Sequence, residues 1–203
     1  MHKNRRRERL LTWMLVFLLC VSMAGTALAA EAEEGISSET LEPVAIAETQ
    51  GEGEAPVQRG EFLLMLYRMS GSPSVETAAP FLDLADQSQE VRAAVDWAYA
   101  SGLVNGRSET SFDPAGSITR QEAAKILFYH SGGISGMEAL FTAIYDNVFL
   151  DSAEIAEWAR APMYWAYFNL LISDEGTCQL EPRSVLAVAE AETMLSQYQS
   201  YPD

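Results

Sequence analysis

Arg120 stands between Thr119 and Gln121-Glu122 at the head of an apolar-periodic run, and Arg59 holds the matching place before Gly60-Glu61. The first turn of a helix is the positive end of its dipole and disfavours a cation by roughly 0.3 to 1 kcal/mol. An arginine placed there twice implies a negative partner. One reading is an anionic ligand gripped jointly by a guanidinium and a helix start. The other is a salt bridge within the chain, with Asp83 a nearby acid that could make it. Thr119 followed three residues later by Glu122 spells a capping box, in which each side chain satisfies a backbone donor of the helix start. As N-cap, Thr119 should contribute on the order of 1 kcal/mol. Glu61 and Glu190 stand where Glu122 does and inherit its structural capping role.

Other residues offer less chemistry. Trp97, Trp165 and Tyr167 could stack on sugar rings, although their helical spacing suits a core. His130 lies on an apolar helix face with no second histidine or cysteine pair near it, so no metal site and no cofactor are expected. No serine or cysteine has a histidine partner for a triad, and no Gly-rich phosphate loop occurs. An enzyme is not expected.

The elements that would position these side chains recur along the chain. Phe81-Leu82-Asp83 returns as Phe149-Leu150-Asp151, Trp97-Ala98-Tyr99 as Trp165-Ala166-Tyr167, Pro114 as Pro182 and Glu122-Ala123 as Glu190-Ala191, all at an offset of 68 residues. A partial copy upstream, Val57 to Gly71, reads over Ile118 to Gly132 at an offset of 61. Units of this size bury their apolar faces only by packing on one another. In copy two, Val91, Ala94, Val95 and Ala98 share one helix face, and Ala123, Ile126, Leu127 and His130 another. The first-copy helix shows Phe62, Met65, Leu66 and Met69. Turn residues fill Gly102 to Gly106 and Phe112 to Gly116 between the helices. Each unit therefore reads helix, structured loop, helix. Met137 to Asn147 reads as an extra helix bridging copies two and three, and Pro162 either starts or kinks a helix in copy three.

The N-terminus reads as an export signal over residues 1–29. Five basic residues precede an apolar run from Leu10 to Met23, and Ala27-Leu28-Ala29 offers small residues for cleavage after Ala29 or Ala30. The run is shorter than the ~20 apolar residues of a membrane span, so no membrane association is expected after cleavage. Residues 30–56 read as an acidic disordered linker, with eight glutamates and no lysine or arginine. The whole chain carries a formal charge of −16, and losing the basic leader makes it more acidic. No basic stripe remains to meet phosphates, which excludes a nucleic-acid partner. Cys178 is left alone once Cys20 leaves with the leader, so the fold must rest on packing.

The order Phe81-x-Asp83, Trp97-Ala98, Gly102-Leu-Val-Asn-Gly106, Phe112-x-Pro114 and Ile118-Thr-Arg-x-Glu122 closely resembles the S-layer homology repeat of bacterial cell-surface proteins. The resemblance runs from Val57 to about Ser196. It implies a mainly α fold of helix-loop-helix repeats packed as a pseudo-threefold assembly, with a partial repeat at 57–72, a full one at 78–133 and a degenerate one at 146–201. It also implies a secreted protein on the wall of a Gram-positive type of bacterium, held non-covalently by secondary cell-wall polysaccharide. The polymer, often carrying a pyruvylated sugar, would bind in grooves between repeats.

Carried over by position, Arg120 and Arg59 would meet its carboxylate, and Thr119 would present its hydroxyl and the helix start. Asp83, Trp97, Gly102 and Gly106 would shape or line the groove. Copy three departs from this pattern. Ala187-Val188 replaces Thr-Arg, while Leu170 and Asp174 replace the two glycines and should crowd and acidify its groove, leaving it structural. Copy one lacks its first half, and Gln58 is a poorer cap than Thr119. The missing half would leave an open face, which a second copy of the chain or another surface protein could cover. A degenerate module acting in protein interaction or envelope structure is therefore the alternative.

Overall fold

The computed structural model describes residues 55–133 and 138–200, all within one compact unit spanning Thr49–Pro202. The expected leader and the linker up to residue 54 lie outside the described residues. The fold is mainly α. Its helices are α1 (Arg59–Met69), α2 (Gln89–Ala100), α3 (Arg120–His130), α4 (Glu138–Tyr145), α5 (Arg160–Phe168) and α6 (Val188–Gln199), with short 3-10 turns at Leu82–Leu84, Ser152–Glu154 and Glu157–Ala159. No strand forms among the described residues, only three isolated bridges.

The bridges explain how the chain closes. Val57 N–H donates to Leu186 O at 2.9 Å, Leu186 N–H to Ile118 O at 3.0 Å, and Ile118 N–H to Val57 O at 3.2 Å. These three residues precede α1, α3 and α6, so each copy's lead-in donates to one neighbour and accepts from the other. All three are fully buried, where an unpaired amide would be costly. A second tier repeats the arrangement at the first helical residues. Arg59 N–H donates to Gly116 O (2.8 Å), Arg120 N–H to Ser184 O (3.0 Å) and Val188 N–H to Ala55 O (2.9 Å). Ala55 and Pro56 are thus part of the fold, and the linker boundary expected at residue 56 lies too far along. Ala55 supplies the carbonyl that Gly116 and Ser184 supply at the other two junctions, and Pro56 bridges Ala187.

Apolar faces fill the interior in register. Phe62 and Leu66 of α1, Ala123 and Leu127 of α3, and Ala191 and Leu195 of α6 are buried at equivalent positions. Trp97 is buried against Tyr67 and His130 with ring centroids 5.6 Å away in each case, so it is core and offers no free ring face to a groove. Trp165 takes the same role against Phe128 at 5.6 Å. Ser88 caps α2 by accepting from Val91 N–H at 3.2 Å. Pro162 falls in the first turn of α5, where its missing N–H leaves no bond unmade, so it starts the helix without kinking it. The extra helix is α4, which packs on α5.

Two glycines of the motif act through the backbone. Gly102 ends α2 in the left-handed region (φ 70°) with open space where a side chain would stand. Its N–H donates to Tyr99 O and that of Leu103 to Ala98 O, the pattern of a glycine-terminated helix. Gly106 is confined, since a Cβ there would lie 2.3 Å from Ser108 O and 2.5 Å from the Phe81 ring.

The copy-three replacements do not crowd a groove as expected. Leu170 keeps the left-handed turn (φ 59°) and points outward with 76% exposure, because the helix end demands that conformation whatever residue occupies it. At Asp174 the loop is rebuilt around a Thr177 N–H to Asp174 O bond and a left-handed Glu175.

His130 ties the far ends of the three motif helices together. Ser70 Oγ donates to Leu66 O at 2.8 Å, so it accepts from His130 Nε2–H at 3.0 Å. Nδ1 is then the bare nitrogen and accepts from the Tyr198 hydroxyl at 2.7 Å. Burial holds the His130 pKa below its ordinary value. The folded state therefore resists the proton that the unfolded chain takes up near pH 6.5.

Two predictions follow from this packing. The His130 contribution to stability is present above the unfolded value of about 6.5 and is lost as pH falls below it. Urea midpoints at pH 7.5 and 5.5 should differ for the native chain and coincide for His130→Phe. Leu170→Gly should raise stability by roughly 1 kcal/mol, by relieving a left-handed leucine whose side chain packs on nothing, and a higher thermal midpoint checks it.

Candidate functional site

The two motif arginines make the same interlock, each directed onto the following copy. Arg59 Nη1 lies 3.3 Å from Glu122 Oε1, its Nε reaches Phe112 O at 3.4 Å, and its guanidinium carbon stands 4.7 Å from the Phe112 ring centroid. Arg120 donates from Nη2 and Nε to Glu190 Oε1 at 2.6 and 3.2 Å and from Nη1 to Leu180 O at 3.2 Å. Glu190 and Leu180 follow Glu122 and Phe112 at the repeat offset. The negative partner implied by the sequence is therefore the capping glutamate of the next copy.

Asp83 is not that partner. Its carboxylate accepts from Ser111 Oγ at 2.7 Å and from the N–H groups of Phe112 and Asp113 at 3.0 and 2.8 Å. Burial alone would raise its pKa, yet these bonds together hold it below the ordinary value. Asp151 repeats the role, accepting from Leu180 N–H at 3.1 Å and Glu181 N–H at 2.7 Å. The Phe-x-Asp motif thus pins the loop whose carbonyl the arginine reads.

The helix starts are engaged as well. Arg120 N–H goes to Ser184 O, and Gln121 N–H to Pro182 O at 3.0 Å. Only the glutamate half of the expected capping box forms, with Thr119 N–H donating to Glu122 Oε2 at 3.1 Å. The Thr119 hydroxyl is buried without a hydrogen-bond partner, because the donors it would have met are taken, Gln121 N–H by Pro182 O and Glu122 N–H by the carbonyl of Thr119 itself at 3.1 Å. Ala187 N–H likewise donates to Glu190 Oε2 at 3.2 Å. At the first copy Gln58 makes no side-chain cap, and Glu61 is exposed. Val188 offers Glu61 no charge, so the third junction has the backbone bond without the arginine.

Glu122 is the hub of the first junction. Besides its own helix start and Arg59, it accepts from Arg107 Nη1 at 2.5 Å. Burial opposes its charge, but the Thr119 N–H and the two guanidiniums outweigh that and lower its pKa. Arg59 is itself lowered by burial, offset in part by Glu122. Arg107, half-exposed and 3.9 Å from Asp113 through Nε, escaped the sequence reading. Its signal is legible in hindsight, since Glu175 occupies its place in copy three and the pairing exists at one junction alone. Among the described residues no group of acidic, histidine or cysteine side chains could hold a metal ion, and no helix is long and apolar enough to cross a membrane.

A ring of helix-loop-helix copies, with the loop of one capping the helix of another, defines a helical repeat module. Residues 80–124 match the family model of the S-layer homology domain. Over that stretch, which spans the second copy from Pro80 to the first turn of α3, the chain is similar to the S-layer homology domain, a family of cell-surface attachment modules. No curated protein matches the chain.

The two interlocks should differ in energetic weight. Glu122 is buried, with 14% side-chain exposure, whereas Glu190 is 40% exposed. Glu122→Ala strands the buried Arg59 charge and should cost about 3 kcal/mol or more. Glu190→Ala leaves Arg120, itself only 14% exposed, with the Leu180 carbonyl and a partner site more open to water, and should cost about 1 to 2 kcal/mol, less than Glu122→Ala. Urea unfolding of the two variants measures the contrast.

Proposed function

We propose that the protein attaches non-covalently to the bacterial wall by binding an anionic polysaccharide, in the manner of secondary cell-wall polymers, at the junctions between copies. One observation carries this reading beyond the family match: two guanidiniums, Arg59 and Arg107, converge on the single oxygen Glu122 Oε1 at 3.3 and 2.5 Å. Their nearby acid Asp113 reaches Arg107 only at 3.9 Å. In a chain of net charge −16 this junction sets two cations against Glu122 and the more distant Asp113, and the solvent-facing half of Arg107 can receive a carboxylate. At the second junction a ligand carboxylate would take the place of the more exposed Glu190 on Arg120. Arg59 stays beneath as the support of Glu122, while Asp83, Gly102 and Gly106 hold the loop in shape and Trp97 backs it from the core.

The alternative is an interaction or structural module of the envelope, in which a second copy or another surface protein covers the side left by the missing half-repeat. The internal engagement of both motif arginines and of the α3 start favours it, because these groups already have partners. Co-sedimentation with purified wall sacculi separates the two. Polysaccharide binding predicts that the protein pellets with native sacculi, stays in solution once the polysaccharide is stripped, and binds several-fold more weakly as Arg107→Ala or Arg120→Ala. A protein that remains in solution throughout and forms dimers in sedimentation equilibrium would support the alternative and sink the first reading.

A further inference from the structure

The chain has a cleft away from the arginine junctions. It opens where the C-terminal half of α3, α4, the turn Glu157–Ala159 and the start of α5 meet, and its volume is about 300 Å³. That lies at the small end of ligand cavities and suits one ring-sized molecule. Its rim carries Trp158 and Tyr129, 48% and 46% exposed, whereas Trp97 and Trp165 are buried. Thr142, Glu157 and Arg160 supply the polar lining.

The repeat offsets show what these aromatics replaced. Tyr129 stands where copy one has Arg68, and Trp158 where copy two has Glu90. Arg68 and Glu90 form an exposed ion pair across α1 and α2. At the next junction the chain has exchanged that ion pair for two half-exposed aromatic rings and has placed α4 beside them. Solvent exposure of two large rings is unfavourable on its own account, and core packing does not require them here.

The polar groups are fixed in advance. Arg160 donates twice from Nη1 to Asp146, at 3.0 and 2.8 Å, and the Tyr164 hydroxyl also donates to Asp146 at 2.9 Å. The guanidinium is thereby clamped while the side chain remains one-third exposed. Lys125 Nζ lies 5.2 Å from the Trp158 ring centroid and orients the indole from one side.

We propose that this cleft binds one neutral pyranose residue of a glycan. A sugar ring offers an apolar C–H face to an aromatic wall and hydroxyls that both donate and accept around its edge. Arg160 and Glu157 provide the matching donor and acceptor, and Trp158 and Tyr129 the wall. A purely apolar ligand would make no use of the Glu157 carboxylate or of the part of Arg160 that Asp146 leaves exposed. A cation would meet Lys125 and Arg160, and a small anion would meet Glu157 and make no use of the rings. The site lies between copies two and three, with Tyr129 from the one and Glu157, Trp158 and Arg160 from the other, apart from the Arg120–Glu190 interlock of the same pair of copies.

Saturation-transfer NMR on the full chain tests the proposal, with methyl glycosides of glucose and N-acetylglucosamine as probes and tetramethylammonium and acetate as ionic controls. Because these glycosides carry no carboxylate, failure of anion binding at the arginine junctions leaves the readout untouched. Transfer to a glycoside and to neither ion is expected. So is a shift of the Trp158 indole N–H resonance on titration, with those of Trp97 and Trp165 unmoved. The double variant Tyr129→Arg/Trp158→Glu installs the ion pair of the preceding junction and should abolish transfer. Absence of transfer to either glycoside, transfer to tetramethylammonium instead, or an unmoved Trp158 resonance would overturn the proposal. The native chain alone decides these outcomes even if the variant fails to fold.

Discussion

The structure depends on a closed circuit of backbone hydrogen bonds among Val57, Ile118 and Leu186. Each is an extended residue just before a helix, where neither helix nor sheet supplies a partner. In the buried centre water cannot serve either. The three solve the problem for one another, each donating to one neighbour and accepting from the other, so removal of any copy orphans two groups on the others. A repeat of this kind cannot be stable alone. What the circuit requires of copy one is Val57 and its helix, with Ala55 to complete the second tier.

Side chains are built on this circuit. Because each helix start lies against the next copy's loop, an arginine in the first turn finds a carboxylate and a carbonyl belonging to that copy. The helix dipole that disfavours the arginine is offset by the glutamate three residues into the next helix. The same glutamate holds its own helix start, so one carboxylate serves a local and a long-range purpose. Copies one and two have this interlock, and Val188 deprives copy three of it. That junction is then held by its backbone bonds and by the packing of α1 and α6.

Helix positions and turn residues were legible in the sequence because the apolar period and turn chemistry are local signals. The Thr119–Glu122 pattern was legible only in part. The glutamate does cap, but the threonine hydroxyl is idle, because Pro182 O of the next copy holds the Gln121 N–H and Thr119's own carbonyl holds the Glu122 N–H. Asp83 and Arg120 share one motif and read as natural partners, yet they serve different loops, one within its copy and one across to the next. Sequence distance carries no information about that choice. The circuit direction decides it, and it emerges only when the three lead-ins meet. Leu170 illustrates the converse. It breaks the glycine pattern, and the backbone nevertheless keeps the left-handed turn, since two helix-end hydrogen bonds outweigh one strained φ.

The same logic bears on where recognition can reside in such a module. A motif arginine that closes an interlock is a poor sole ligand, because any incoming carboxylate must displace a glutamate that is already oriented and bonded. The net gain of exchange is the difference between two similar contacts, and it vanishes at Glu122, which is also gripped by Arg107. Exchange is least costly at Glu190, whose water-exposed side can be rehydrated once it is released. A residue such as Arg107, outside the repeating motif and half in solvent, brings charge to the junction without holding copies together. Positions that the circuit leaves free are therefore the ones able to vary with ligand, and the motif itself is kept in place by folding.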